Sequence, residues 1–105
     1  MEVLDLLSYF LGGAFLANAV PHCVCGVTGR PFQSPFASPP GKGLSSATVN
    51  VLWGSLNVVI GYLLVCHVGE FALGNWSDAA ALGLGMFLIA LFSARHFGTF
   101  HGGRL

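Results

Sequence analysis

Asn18 and His22 stand four residues apart, and Cys23 and Cys25 follow at once. Residues at that spacing share one face of a helix. Arg95 and His96 come near the other end of the chain, with His101 beyond them. These residue types point to three kinds of chemistry. The first is anion or headgroup binding, since Arg and Lys at a membrane face attract phosphate and carboxylate. It draws on Arg95 and on Lys42, which lies in Gly41-Lys42-Gly43 just ahead of Ser45 and Ser46. Those two serines suit the start of a helix, where backbone N–H groups form an anion nest. The stretch is not a phosphate-binding P-loop, because Phe36 occupies the position of that motif's first glycine. Plain membrane anchoring by the basic side chains, with a helix cap, explains the same residues.

The second chemistry is metal or haem binding. His22, Cys23, Cys25 and His96 are chemically competent ligands, and a non-covalent haem would sit between His22 and His96. The spacing gives little support: Cys-x-Cys is not the Cys-x-x-Cys of zinc ribbons, and no Cys-x-x-Cys-His occurs. The expectation is therefore no cofactor, with a metal or haem as the alternative. The third is catalysis by a histidine base with Arg95 as an anion clamp. No Ser-His-Asp order, paired carboxylates or HExxH accompanies it, so the sequence leans away from an enzyme and names no catalytic residue.

What positions these residues follows from composition. Of 105 residues, 54% are hydrophobic and 8% are charged, with formal net charge zero; an ordinary soluble domain carries about 25% charged residues. A water-facing surface cannot be built from so little charge, and no basic surface exists for nucleic acid. Three stretches are long and apolar: about residues 3–20, 47–68 and 79–97. At helical rise they span roughly 27, 33 and 28 Å, against a hydrocarbon core of about 30 Å. Backbone in lipid has no water to bond, so each should be helical. The fold class is all-α: one membrane domain of three transmembrane helices. Ala17-Asn18-Ala19 mimics a signal-peptide cleavage site, but Glu2, Asp5 and the lack of an early Lys or Arg favour a retained span.

A long Pro-rich loop, about residues 22–46, joins the first two helices, and a short one, about 69–78, joins the last two. Pro31, Pro35, Pro39 and Pro40 disfavour both helix and sheet in the long loop. The tandem Pro31-Phe32-Gln33-Ser34 and Pro35-Phe36-Ala37-Ser38 suggests polyproline-like extension. In the short loop, Ser77 or Asp78 is expected to cap the third helix, and Trp76 to anchor it at the interface. Three crossings put Arg30, Lys42, Arg95 and Arg104 on one side and Glu2, Asp5, Glu70 and Asp78 on the other. The positive-inside rule then gives N-terminus out and C-terminus in, and size and composition point to a bacterial cytoplasmic membrane.

Within the second helix, Asn50, Gly54, Asn57 and Gly61 recur at helical spacing on one face. Asparagine in hydrocarbon requires a partner, and Asn18 is a candidate. This face makes either a polar pocket lined by Asn18, Asn50 and Asn57 or hydrogen-bonded glue between helices. In the third helix Ala79, Gly83, Ala90 and Ala94 form a small-residue stripe suited to close packing. The expected function is binding, or helping to translocate, a small or lipid-like ligand at the cytoplasmic face. The ligand-binding candidates are Asn18, His22, Lys42, Asn50, Asn57, Arg95 and His96. The rival readings are a membrane enzyme or redox protein using the same histidines, and a structural subunit. The expected partners are membrane lipids and either further copies of the chain or a larger membrane complex.

Overall fold

The computed structural model describes residues 2–103, with Glu2 as backbone alone; Arg104 lies outside them. The elements are α1 (Glu2–Val27), β1 (Phe32–Gln33), β2 (Leu44–Ser45), α2 (Ala47–Cys66) and α3 (Trp76–His101). All three helices are long and apolar enough to cross a membrane.

The helix ends differ from those expected, for local reasons. α1 runs through Pro21 instead of stopping at Val20. Proline removes one N–H, but continuing the helix bonds the other backbone groups, which apolar surroundings demand. The true stop is at Gly29, whose φ is +74°. There Arg30 N–H donates to the Cys25 carbonyl (2.9 Å) and Gly29 N–H to the Gly26 carbonyl (3.0 Å), the Schellman pattern. α3 begins at Trp76 because the Asn75 side chain accepts from the N–H groups of Ser77 and Asp78. Asn75, and not Ser77 or Asp78, is thus the cap; Asp78 instead accepts from Ala72 N–H at 3.0 Å. Ser46 caps α2 by accepting from Val49 N–H at 3.2 Å.

α1 is the middle helix. It packs against both α2 and α3, while those two barely touch. Lipid supplies no hydrophobic drive between helices, so close approach and polar bonds must hold them. Toward α2, α1 presents Gly12, where a Cβ would lie 2.6 Å from the Val65 methyl and 3.1 Å from the Gly61 carbonyl oxygen. α2 turns Asn50, Gly54, Asn57, Gly61 and Val65 inward. Three polar rungs join the pair: Ser8 Oγ to the Leu64 carbonyl (2.6 Å), Asn18 to Asn57 (3.1 Å) and His22 to Asn50 (2.7 Å). Toward α3 the contact centres on Gly85, the buried residue of that helix. A Cβ there would fall 2.8 Å from the Phe10 carbonyl carbon and 3.2 Å from Ala14 N. The small-residue stripe expected to pack is therefore displaced: Gly83, Ala90 and Ala94 are exposed. They line an open apolar groove between α1 and α3 of about 840 Å³, closed at one end by Phe32 and Phe97.

Gly85→Ala is expected to destabilise the α1–α3 contact by about 1–3 kcal/mol through overpacking against backbone. Gly83→Ala meets open space and should be neutral or slightly stabilising, given alanine's better helix propensity. Thermal unfolding of both variants in one detergent checks the pair.

Candidate ligand-binding site

The residues between α1 and α2 do not extend as polyproline; they fold back under the bundle. Phe32 pairs with Ser45 and Gln33 with Leu44, antiparallel. Ser34 organises the turn: its carbonyl accepts from Gly41 N–H (2.8 Å) and Ala37 N–H (3.3 Å). Its hydroxyl bonds Ser45 Oγ (2.5 Å) and accepts from Phe36 N–H (3.1 Å). The prolines occupy positions where no N–H is needed, and the Pro39 carbonyl accepts from Lys42 and Gly43. Phe32, Gln33 and Ser34 are buried as a result.

Asn50, fully buried, ties this segment to the helices. Its Nδ2 donates to the carbonyls of Phe32 (3.2 Å), Ser45 (3.2 Å) and Ser46 (3.0 Å). Three carbonyl acceptors fix which way the amide faces, so Oδ1 is the atom 2.7 Å from His22 Nδ1. An amide oxygen only accepts, and Nδ1 of His22 must therefore carry the proton. In the neutral ring Nε2 then keeps its lone pair. His22 is 2% exposed, and Nε2 has no hydrogen-bond partner among the described residues. No fully sealed side-chain nitrogen or oxygen among those residues lacks a partner, so Nε2 reaches open space.

That space is a cavity of about 150 Å³ whose lining includes Asn18, His22, Gln33, Ser34, Trp53 and His96, room for roughly five waters. Phe32, Trp53 and Phe97 stand edge-on to the His22 ring at 5.5, 6.3 and 6.2 Å. His96 is held the other way round: its Nε2 lies 2.9 Å from the Gly41 carbonyl oxygen and must donate to it, leaving the lone pair on Nδ1. His101 stacks on Phe32 (5.2 Å) and donates to Oε1 of the lining residue Gln33 (2.8 Å). Asn18 and Trp53 are shared with an adjoining hollow of about 260 Å³, lined also by Ala14, Phe15, Asn57 and Ile89. The two make one trough above α1, in the gap left because α2 and α3 do not pack together. It is polar at the His22 end and mostly apolar at the other.

Neither family models, curated proteins nor solved structures give a match to this chain.

The structure brings Asn18, His22 and His96 together at the cavity, with Asn57 on the adjoining hollow. Asn50 sits behind His22 with its side chain spent on internal bonds. Lys42 and Arg95 are exposed; Arg95 borders a separate surface hollow with Phe92, His96 and Thr99. Cys23 packs on α2 at Gly54, and neither it nor Cys25 lines the cavity. Among the described residues no three His, Cys, Asp or Glu side chains are grouped to hold a metal ion, and the cavity is too small for a haem macrocycle. Gln33, Ser34 and Trp53 join the site without having been singled out from the sequence. Trp53 had a readable signal, three residues past Asn50 and four before Asn57; Gln33 and Ser34 had none, because their place depends on how the loop folds.

Ring-labelled ¹⁵N NMR should show His22 protonated at Nδ1 with a lone-pair Nε2, and His96 the reverse; matching tautomers would contradict the network. Asn50→Leu leaves several buried polar groups unpaired at about 1–3 kcal/mol each. Limited proteolysis should then cut residues 30–45 of that variant well before the wild-type chain.

Proposed function

We propose that this chain is a membrane-embedded binding protein for a small amphipathic molecule that carries a hydroxyl or amine donor. One observation carries the reading: the lone pair at Nε2 of His22, on a ring only 2% exposed, borders a cavity in which no described side chain bonds it. An acceptor on a buried ring that opens only onto a small cavity is matched by a donor placed inside that cavity. Trp53, Phe92 and Phe97 in the same walls favour an aromatic or otherwise flat headgroup. The adjoining hollow at Ala14, Phe15 and Ile89 takes the apolar remainder. The combined space falls in the lower range of ligand sites, about 300–1,000 Å³.

In this reading the site lies at the cytoplasmic face. Arg30, Lys42 and Arg95 share its end of the bundle, and Asp5, Glu70 and Asp78 share the other, which agrees with the positive-inside rule. Lipid chains fill the exposed groove between α1 and α3. A second reading, a redox or metal protein, draws support from His22 and His96 lining one cavity; stoichiometric uptake of a transition metal, lost on His22→Phe, would favour it.

The test compares para-hexylphenol with hexylbenzene, which lacks the donor, on protein in lipid nanodiscs. The phenol should bind more tightly by roughly two- to twelvefold, the worth of one net hydrogen bond. His22→Phe should erase that difference while leaving hexylbenzene nearly unaffected. Equal affinities for the two compounds in the wild-type protein would remove the basis of the proposal.

A further inference from the structure

Two further side chains in the lining of the His22 cavity hold a polar atom that the surrounding bonds leave open. Gln33, on β1, is 4% exposed. Its Oε1 accepts from Nε2 of His101 at 2.8 Å, so the amide keeps both N–H groups at Nε2. That nitrogen has no hydrogen-bond partner among the described residues, and it is not sealed. As with His22, an unpaired atom on a buried side chain opens onto the space that the residue lines.

Asn18 lines the same cavity, one helical turn before His22. The Asn57 amide sets its orientation. Nδ2 of Asn57 donates to the Trp53 carbonyl at 2.8 Å, so Oδ1 of Asn57 receives Nδ2 of Asn18 at 3.1 Å. Oδ1 of Asn18 then has no hydrogen-bond partner among the described residues. Side chains four apart on a helix stand about 5–6 Å from each other on one face. The cavity thus offers two acceptors side by side on α1, His22 Nε2 and Asn18 Oδ1, and one donor on β1, Gln33 Nε2. Ser34 adds neither, since its hydroxyl bonds Ser45 Oγ and accepts from Phe36 N–H.

We infer that the cavity selects an ortho-dihydroxyarene, a catechol-type headgroup, from the flat donor-bearing molecules proposed above, and the inference rests on that reading. Hydroxyls on neighbouring ring carbons give one O–H to His22 Nε2 and one to Asn18 Oδ1, and either oxygen accepts from Gln33 Nε2. A single hydroxyl has one proton and meets only one of the two acceptors. An ammonium group meets both but has no lone pair for the Gln33 amide. The planar ring suits walls that include Trp53 and Phe97. Asn18 and Gln33 are therefore specificity-determining residues, and His22 provides the bond that any hydroxyl ligand shares.

The experiment compares four compounds with one hexyl tail on protein in lipid nanodiscs, under nitrogen, with empty nanodiscs as the reference. They are 4-hexylcatechol, its ether 4-hexyl-2-methoxyphenol, para-hexylphenol and hexylbenzene. The catechol should bind about two- to twelvefold more tightly than the phenol, the worth of one further net hydrogen bond. The ether keeps both oxygens with one donor fewer and should lose that gain, a comparison that needs no variant to fold. Asn18→Leu should bring the catechol down to the phenol and leave the phenol's advantage over hexylbenzene in place. Gln33→Met should weaken catechol and phenol alike and spare hexylbenzene. Tyr9 is the control: it is 2% exposed, its hydroxyl has no hydrogen-bond partner among the described residues, and it borders a separate cavity of about 430 Å³ at the opposite end of the bundle. Tyr9→Phe should change none of the four affinities. The inference is overturned if the catechol binds no better than the phenol, if the ether matches the catechol, or if the catechol's preference survives Asn18→Leu or falls with Tyr9→Phe. Loss of the phenol's own advantage over hexylbenzene in the wild-type protein would instead remove the reading beneath it.

Discussion

The amide of Asn50 is the interaction on which the His22 end of the molecule depends. One side chain, wholly buried, meets the ring of His22 on α1, the carbonyls of Phe32 and Ser45 on the two short strands, and the carbonyl of Ser46 at the start of α2. The Ser46 carbonyl also accepts from Asn50 N–H, but a carbonyl left without a partner in apolar surroundings costs of order 1–3 kcal/mol, and the Asn50 amide supplies a donor to the strand carbonyls. The chain between α1 and α2 thus folds under the bundle because that is where its backbone finds donors. The same amide then dictates the tautomer of His22. Structure and reactivity at this end are set by a single residue that no ligand can touch.

A second constraint is that α1 must serve two neighbours. Gly12 lets α2 approach on one side, while Gly85 lets α3 approach on the other. Both contacts are backbone-close, so α1 is held firmly, but nothing draws α2 and α3 to each other. A bundle of three mutually packed helices would have filled the space above α1 with side chains. This one leaves a trough, and Trp53 and Phe97 wall it without closing it. The trough is a consequence of the packing order.

Much of this could be read before any coordinates. The Asn50, Gly54, Asn57, Gly61 stripe declares its buried face because asparagine needs a polar partner in lipid and the glycines between let a neighbouring helix approach, and Asn18 is found bonded to Asn57. Ser46 caps α2 for reasons wholly local to its sequence. Other features resisted because competing demands had to be weighed. Pro21 argued for a helix end, but the need to bond the backbone around it was stronger. The prolines of the connecting segment argued against strands, yet two residues on each side suffice once Asn50 supplies the donors. The stripe at Gly83, Ala90 and Ala94 suits packing equally well by composition; the register the structure adopts brings Gly85 against the Phe10 carbonyl and Gly13 against that of Leu82, a match visible only once the two helices are placed together.

Two buried side chains with an unpaired polar atom, Tyr9 and His22, belong to the same helix and mark its two ends. Thirteen residues separate them, roughly 20 Å along the axis and about 220° around it. They therefore serve cavities on different faces, one near the turn before α3 and one under the strand pair. A mechanical link between those cavities would require α1 to shift against both neighbours at once. The glycine contacts on its two sides resist any such slide, since each displacement brings backbone against backbone. The geometry thus keeps the two cavities mechanically separate, with α1 as their common rigid support.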